Sequence, residues 1–201
     1  MLHGLGAGGS DFEPFVHEID LGAVGPVRWI FPNAPQIPVT INGGYVMPAW
    51  YDIAPDHSRE DVNGLRSSQQ SIEALLAREK ARGVPARRIV LAGFSQGCAM
   101  ALLVGLRHAE RLAGIAGLSG YLPLARELPT ERSAANADTP IFQAHGRLDD
   151  MVPLARAVAA RDALQALGYR VEWHEYPIGH TVSLPEIQDL RAWLLTVLGS
   201  P

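Results

Sequence analysis

Arg88-Ile89-Val90-Leu91-Ala92-Gly93-Phe94-Ser95-Gln96-Gly97-Cys98-Ala99-Met100-Ala101-Leu102-Leu103-Val104 is the stretch whose reading decides the fold. Its first five residues form a short β-branched run, which predicts a buried strand, and the residues from Cys98 continue at the apolar density of a helix. Between them stands Gly93-Phe94-Ser95-Gln96-Gly97. A serine on so sharp a strand-to-helix turn projects its hydroxyl from the top of the sheet, and the flanking glycines let neighbouring backbone approach closely. Ser95 is therefore the candidate nucleophile.

The composition frames that motif. A chain of 201 residues with 47% apolar content can bury the core of one domain. Its net charge of -4, from 17 basic and 21 acidic residues, and its lack of a basic run give no electrostatic reason to expect nucleic acid. The single cysteine, Cys98, excludes an internal disulfide, fits a reducing, cytoplasmic compartment, and reads as a small buried hydrophobe beside the elbow. No apolar run is long enough to insert stably in a membrane, and the first residues lack a secretory signature.

Strands and helices alternate along the chain, without repeats. His3-Gly4-Leu5-Gly6-Ala7-Gly8-Gly9 is a glycine-rich turn, and Ser10-Asp11-Phe12-Glu13 reads as a capping box opening a short helix. The turn lacks the lysine and spacing of a P-loop. Val27 to Phe31 predicts a strand, and Pro32 to Pro55 a long proline- and glycine-rich loop whose Met47, Trp50 and Tyr51 could either pack the loop or touch substrate. Ser58-Arg59-Glu60-Asp61 caps the next helix, which Gly83 and Pro85 end. Leu112 to Ser119, Pro140 to Gly146 and Val171 to Tyr176 predict further strands. Pro153 opens a helix to Leu167, and Ser183-Leu184-Pro185-Glu186 caps the last one. Five or six strands alternating with helices imply an α/β fold with a mostly parallel central sheet and helices on both faces.

In such sheets the reactive groups collect beyond the carboxyl ends of the strands. Those positions hold Leu5, Ser95, Asp149 or Asp150, and Gly179-His180. A serine hydroxyl needs a neutral imidazole to take its proton and a carboxylate to fix the imidazole tautomer. Of the seven histidines, His3 and His145 lie in strand-end turns, His17, His57 and His108 lie on or beside helices, and His174 lies within a strand. His180, on the loop after the last strand, is the candidate general base. The order serine, aspartate, histidine belongs to the α/β-hydrolases.

Leu2-His3-Gly4-Leu5-Gly6, Phe31-Pro32-Asn33-Ala34-Pro35, Pro38-Val39-Thr40-Ile41-Asn42-Gly43-Gly44, Met47-Pro48-Ala49-Trp50-Tyr51-Asp52, the elbow, His145-Gly146-Arg147-Leu148-Asp149 and Gly179-His180 together resemble the phospholipase/carboxylesterase family, and most of all its bacterial carboxylesterases. The resemblance spans nearly the whole chain. It implies an α/β-hydrolase that acts on carboxylic esters without cofactor or metal, with Ser95 as nucleophile, Asp149 as the acid, His180 as base, and an oxyanion hole made by the backbone N–H groups of Leu5 and Gln96. A glycine-rich turn and the residue after the nucleophile are where preorganised donors can converge on an acyl oxyanion. The family has a strand before the His-Gly-Leu-Gly turn, where only Met1 and Leu2 stand here. The expectation is that residues 1–201 are a single α/β-hydrolase domain lacking the family's N-terminal strands, which upstream residues would complete.

These observations lead us to expect a serine carboxylesterase that cleaves short- to medium-chain esters through an acyl-enzyme, as a monomer or homodimer. A lysophospholipase or acyl-protein thioesterase is the alternative within the family, and a catalytically silent binding protein the alternative outside enzymes. Met47, Trp50, Leu148, Met151 and Val152 are the candidate substrate-binding residues, because they could wall an apolar acyl site.

Overall fold

The computed structural model describes residues 1–55 and 59–199. Four strands, β3 (Val90–Phe94), β4 (Gly114–Leu118), β5 (Ile141–Gly146) and β6 (Val171–Tyr176), form a parallel sheet in the order β3-β4-β5-β6. Gly93 pairs with Gly117, Leu118 with Ala144, and Gly146 with Tyr176. All four strands therefore end at one edge, as parallel strands joined by helical crossovers must.

Alternate residues of each strand feed two apolar layers. Leu91, Ile115 and Ile141 face one core with the helices α2 (Val62–Ala81), α3 (Gln96–Gly105) and α5 (Leu154–Ala166). Ala116, Leu118, Phe142 and Ala144 face the other, closed by Ile187, Leu190, Trp193, Leu194 and Leu198 of α6 (Leu184–Gly199) and by Ile19 and Leu21. Every residue of α3 is buried, as the central helix of a doubly covered sheet requires. Two shorter helices, α1 (Glu13–Glu18) and α4 (Leu128–Glu131), lie in the connections.

The expected strand at Val27–Phe31 does not form. One hydrogen bond to its backbone is made there, from the Met1 nitrogen to the Ile30 carbonyl (2.8 Å), and a single bond makes no ladder. Leu2 instead lies parallel to Gly93, accepting from Phe94 N–H (3.0 Å) and donating to the Ala92 carbonyl (2.7 Å). The five or six strands expected in the sheet are thus four, with Leu2 a one-residue bridge. The expected loop from Pro32 to Pro55 instead holds an antiparallel hairpin, β1 (Gln36–Val39) and β2 (Tyr45–Pro48), separate from the main sheet. Both strands are four residues long and carry a proline, Pro38 or Pro48. Proline weakens a strand signal and is tolerated only where no ladder bond is donated.

Helix caps follow the sequence in two places out of three. Asp61 caps α2 by accepting from the Gly64 N–H (3.0 Å), and the expected Ser58 lies outside the described residues, as does His57. Ser10-Asp11-Phe12-Glu13 is displaced from its expected role: Gly9–Phe12 is a 3-10 turn, and Asp11 accepts from Gly8 N–H (2.9 Å) before α1 begins. At α6 the capping box forms, with Ser183 Oγ accepting from Glu186 N–H (3.4 Å) and Glu186 Oε2 accepting from Ser183 N–H (3.3 Å).

Glu186 sets a pH dependence. Burial pushes its carboxyl up from the usual range to about 7, against the opposing Ser183 hydrogen bond, and its Oε1 is buried with no partner. Between about pH 4.5 and 7 the folded chain keeps a proton that the unfolded chain has released, so stability falls as pH rises through this window, by up to about 3 kcal/mol. Glu186→Gln is expected to flatten the dependence of urea-unfolding stability between pH 5 and 8. Parallel curves for the variant and the parent would contradict it.

Candidate functional site

At the end of β3 the chain reverses into α3 through Ser95, whose φ of 56° and ψ of -118° lie in a region that non-glycine residues avoid. The two elbow glycines allow the turn. A Cβ on Gly93 would run into the Gly97 carbonyl, and one on Gly97 into the carbonyls of Leu2 and His3. Ser95 N–H is held by the Leu118 carbonyl of β4 (2.8 Å), so the sheet itself fixes the serine.

Asp149 and His180 arrive from beyond the ends of β5 and β6, on the far side of β4 from the elbow. Ser95 Oγ lies 2.9 Å from His180 Nε2, and His180 Nδ1 lies 2.7 Å from Asp149 Oδ2. The Asp149 side chain is fully buried. Its other oxygen, Oδ1, accepts from the N–H groups of Met151 (3.0 Å) and Val152 (2.8 Å), which satisfies the charge and orients the carboxylate. Asp150, which spacing alone left as an equal candidate, is exposed. The His-Gly turn has a steric reason: a Cβ on Gly146 would strike the carbonyls of Ile178 and Gly179, the residues that carry His180 into place. Phe94 packs against the imidazole, with ring centroids 4.9 Å apart.

The other site histidines have structural bonds. His3 Nε2 accepts from Ala34 N–H (2.9 Å), and its Nδ1 donates to the Gly4 carbonyl (2.7 Å). His145 Nε2 donates to the Val152 carbonyl (2.8 Å) beside Asp149, and burial holds its pKa below the usual histidine value. Cys98 is buried against β4, and burial pushes its thiol up to about 12, which leaves it inert.

Gln96 has a structural role that its place in the motif did not signal. Its side chain is buried, accepting from Trp50 N–H (2.7 Å) and donating to the Tyr51 carbonyl (2.8 Å). It thereby ties the segment after the hairpin to the base of the elbow. The Gln96 N–H, at the first position of α3, and the Leu5 N–H are both without a recorded backbone acceptor among the described residues, as donors reserved for a ligand would be. Gln96→Ala is expected to lower stability by about 2 to 4 kcal/mol, because two buried backbone groups lose their partner. A urea midpoint matching the parent's would refute the tie.

A cleft of about 670 Å³ opens over Ser95 and His180. Met47, Met151 and Val152 line it, together with Leu5, Phe12, Phe15, Ile41, Tyr51, Tyr121 and Arg156. Trp50 and Leu148, expected as substrate contacts, are not in its lining. Trp50 is buried behind the wall, its indole N–H donating to the His3 carbonyl (2.9 Å), and Leu148 points to solvent with 69% of its surface exposed. No cluster of metal-ligating side chains occurs among the described residues.

The profile of the phospholipase/carboxylesterase family matches residues 1–198. The chain belongs to that family. It is 39% identical to acyl-protein thioesterase 1 of Yarrowia lipolytica over 200 residues, which cover 96% of this chain and 88% of the relative. It superposes on the crystal structure of Arabidopsis thaliana SOBER1 with a TM-score of 0.91 at 30% identity, covering 98% and 96% of the two chains. Acyl-protein thioesterase 2 of Zea mays gives 0.84 at 31% identity, over 98% and 92%. The chain is thus an α/β-hydrolase-fold enzyme, a hydrolase by family. No helix among the described residues is long and apolar enough to cross a membrane.

Proposed function

We propose that residues 1–201 act as one domain that hydrolyses small carboxylic esters and thioesters of short to medium acyl length. The observation that carries this reading is the continuous chain from Ser95 Oγ through His180 to the buried Asp149 carboxylate. His180 takes the Ser95 proton as Oγ attacks the carbonyl carbon, and Asp149 holds the imidazole in the Nδ1–H tautomer and stabilises the imidazolium that forms. The Leu5 and Gln96 N–H groups receive the charge that develops on the carbonyl oxygen. Collapse expels the alcohol or thiol with the proton from His180, and water activated by the same base releases the acid.

The cleft supports a limited acyl length. Its volume of about 670 Å³ must hold both arms of a substrate, and Phe12, Phe15, Ile41 and Met47 give it an apolar wall. Each methylene buried is worth up to about 0.8 kcal/mol, so kcat/KM for 4-nitrophenyl esters is expected to climb by up to about fourfold per carbon and then fall at medium length. A steady climb to long chains, with thioesters preferred over oxygen esters, would favour the second reading, an acyl-protein thioesterase. The names of the relatives in Yarrowia lipolytica and Schizosaccharomyces pombe support that reading.

A further inference from the structure

We propose that Arg156, backed by Tyr121 and Tyr51, makes the cleft select esters or thioesters that carry a carboxylate or phosphate near the scissile bond. This rests on the serine-hydrolase reading and names its substrate class. Among the residues that line the cleft, Arg156 is the one with a permanent cation, and Asp11, the other charged member, already accepts from Gly8 N–H. The guanidinium lies 3.7 Å from the centre of the Tyr121 ring. The guanidinium also donates a hydrogen bond to Tyr121; with five N–H donors in a planar fork, it keeps others for a bidentate partner.

Among the described residues, the corner's donors outnumber the acceptors that meet them. No carboxylate among the described residues forms an ion pair with Arg156, and Glu60, across Tyr121, is turned to the Leu124 N–H, which its two oxygens share. The Tyr51 and Tyr121 hydroxyls are 2.6 Å apart. One proton closes that bond and the other remains to be donated. Burial raises both phenols above their usual range, so each keeps its proton.

Helix stability does not explain the arginine. Arg156 sits in the first turn of α5, where the helix dipole disfavours a cation. A half-buried guanidinium at that place, next to a phenol pair, gains most from a bound anion, and the carboxylate or phosphate of a substrate would supply one in bidentate geometry.

The test compares matched substrates. In the acyl arm, 4-nitrophenyl hemiglutarate is set against 4-nitrophenyl valerate. In the leaving arm, S-butyryl thioglycolate is set against S-propyl thiobutyrate. Self-hydrolysis of the hemiester is subtracted using Ser95→Ala. The parent enzyme is expected to favour the anionic member of at least one pair, and Arg156→Met to lower that anionic-to-neutral ratio of kcat/KM about tenfold or more. Arg156→Lys, which keeps the charge, should recover part of the loss. A parent that disfavours both anions, a fall of less than about threefold in Arg156→Met, or a lysine variant no better than methionine would overturn the proposal. If the parent turns over neither neutral substrate faster than Ser95→Ala, it is the serine-hydrolase reading that fails.

Discussion

Ser95→Ala is expected to lower kcat for a good ester by roughly 10⁴ to 10⁶, the cost of deleting the nucleophile of a serine-histidine pair. The loss is this large because the hydroxyl is the atom that forms the covalent bond, and water in its place has neither the 2.9 Å contact with His180 Nε2 nor the fixed approach that the elbow imposes. Binding should survive. The cleft walls and the Leu5 and Gln96 N–H groups proposed to hold the oxyanion do not involve the hydroxyl, so an uncleavable ketone analogue of the ester is expected to bind within about threefold of the parent. Steady-state kinetics and titration of the analogue check both halves. Turnover within tenfold of the parent would sink the assignment, while loss of both turnover and binding with a normal unfolding curve would mean that Ser95 shapes the pocket rather than reacts in it.

Asp149→Asn is expected to cost nearly as much, about 10⁴ in kcat, while Asp150→Asn stays within about twofold, the first magnitude being that of the corresponding change in a serine protease. The asymmetry follows from burial. Asp149 Oδ2 faces His180 Nδ1 at 2.7 Å with its side chain fully buried, and Oδ1 is bound by the Met151 and Val152 N–H groups. An asparagine held by those same two N–H groups must keep its carbonyl oxygen at Oδ1 and turn its NH₂ toward Nδ1. The imidazole then carries its proton on Nε2, where it cannot accept one from Ser95. Asp150 is exposed and faces no such partner. Comparing kcat of the two variants decides the matter, and a crippled Asp150→Asn beside a nearly normal Asp149→Asn would reverse the roles.

Much of this site was legible in the sequence because it rests on local constraints. The elbow announces itself through two glycines that no other residue could replace, since each lies against backbone. His180 follows from being the histidine just beyond the last strand, and the His-Gly turn at Gly146 from the chain that must pass over it. What the sequence hid depends on contacts between distant segments. The run Val27–Phe31 has strand propensity, but a strand requires a partner along its length, and Leu2 pairs with β3 instead. Trp50 looked like a substrate contact because it is a large aromatic in a long loop, yet its indole N–H finds the His3 carbonyl 47 residues away and turns inward. The role of the Gln96 side chain, and Arg156 altogether, gave no local signal. The bonds of Gln96 reach back to Trp50 and Tyr51, and the partner of Arg156, Tyr121, comes from the loop after β4.

In the proposed mechanism, the chain from Asp149 through His180 activates one serine, Ser95, among the ten that the sequence carries. Reaction with a fluorophosphonate, followed by peptide mass spectrometry, tests it most directly, because only an activated hydroxyl displaces fluoride at phosphorus on a practical timescale. The expected result is one adduct per chain, located on Ser95, with ester hydrolysis lost in proportion to labelling and labelling abolished in His180→Ala. An adduct on another residue, or full hydrolytic activity in protein fully labelled at Ser95, would contradict it.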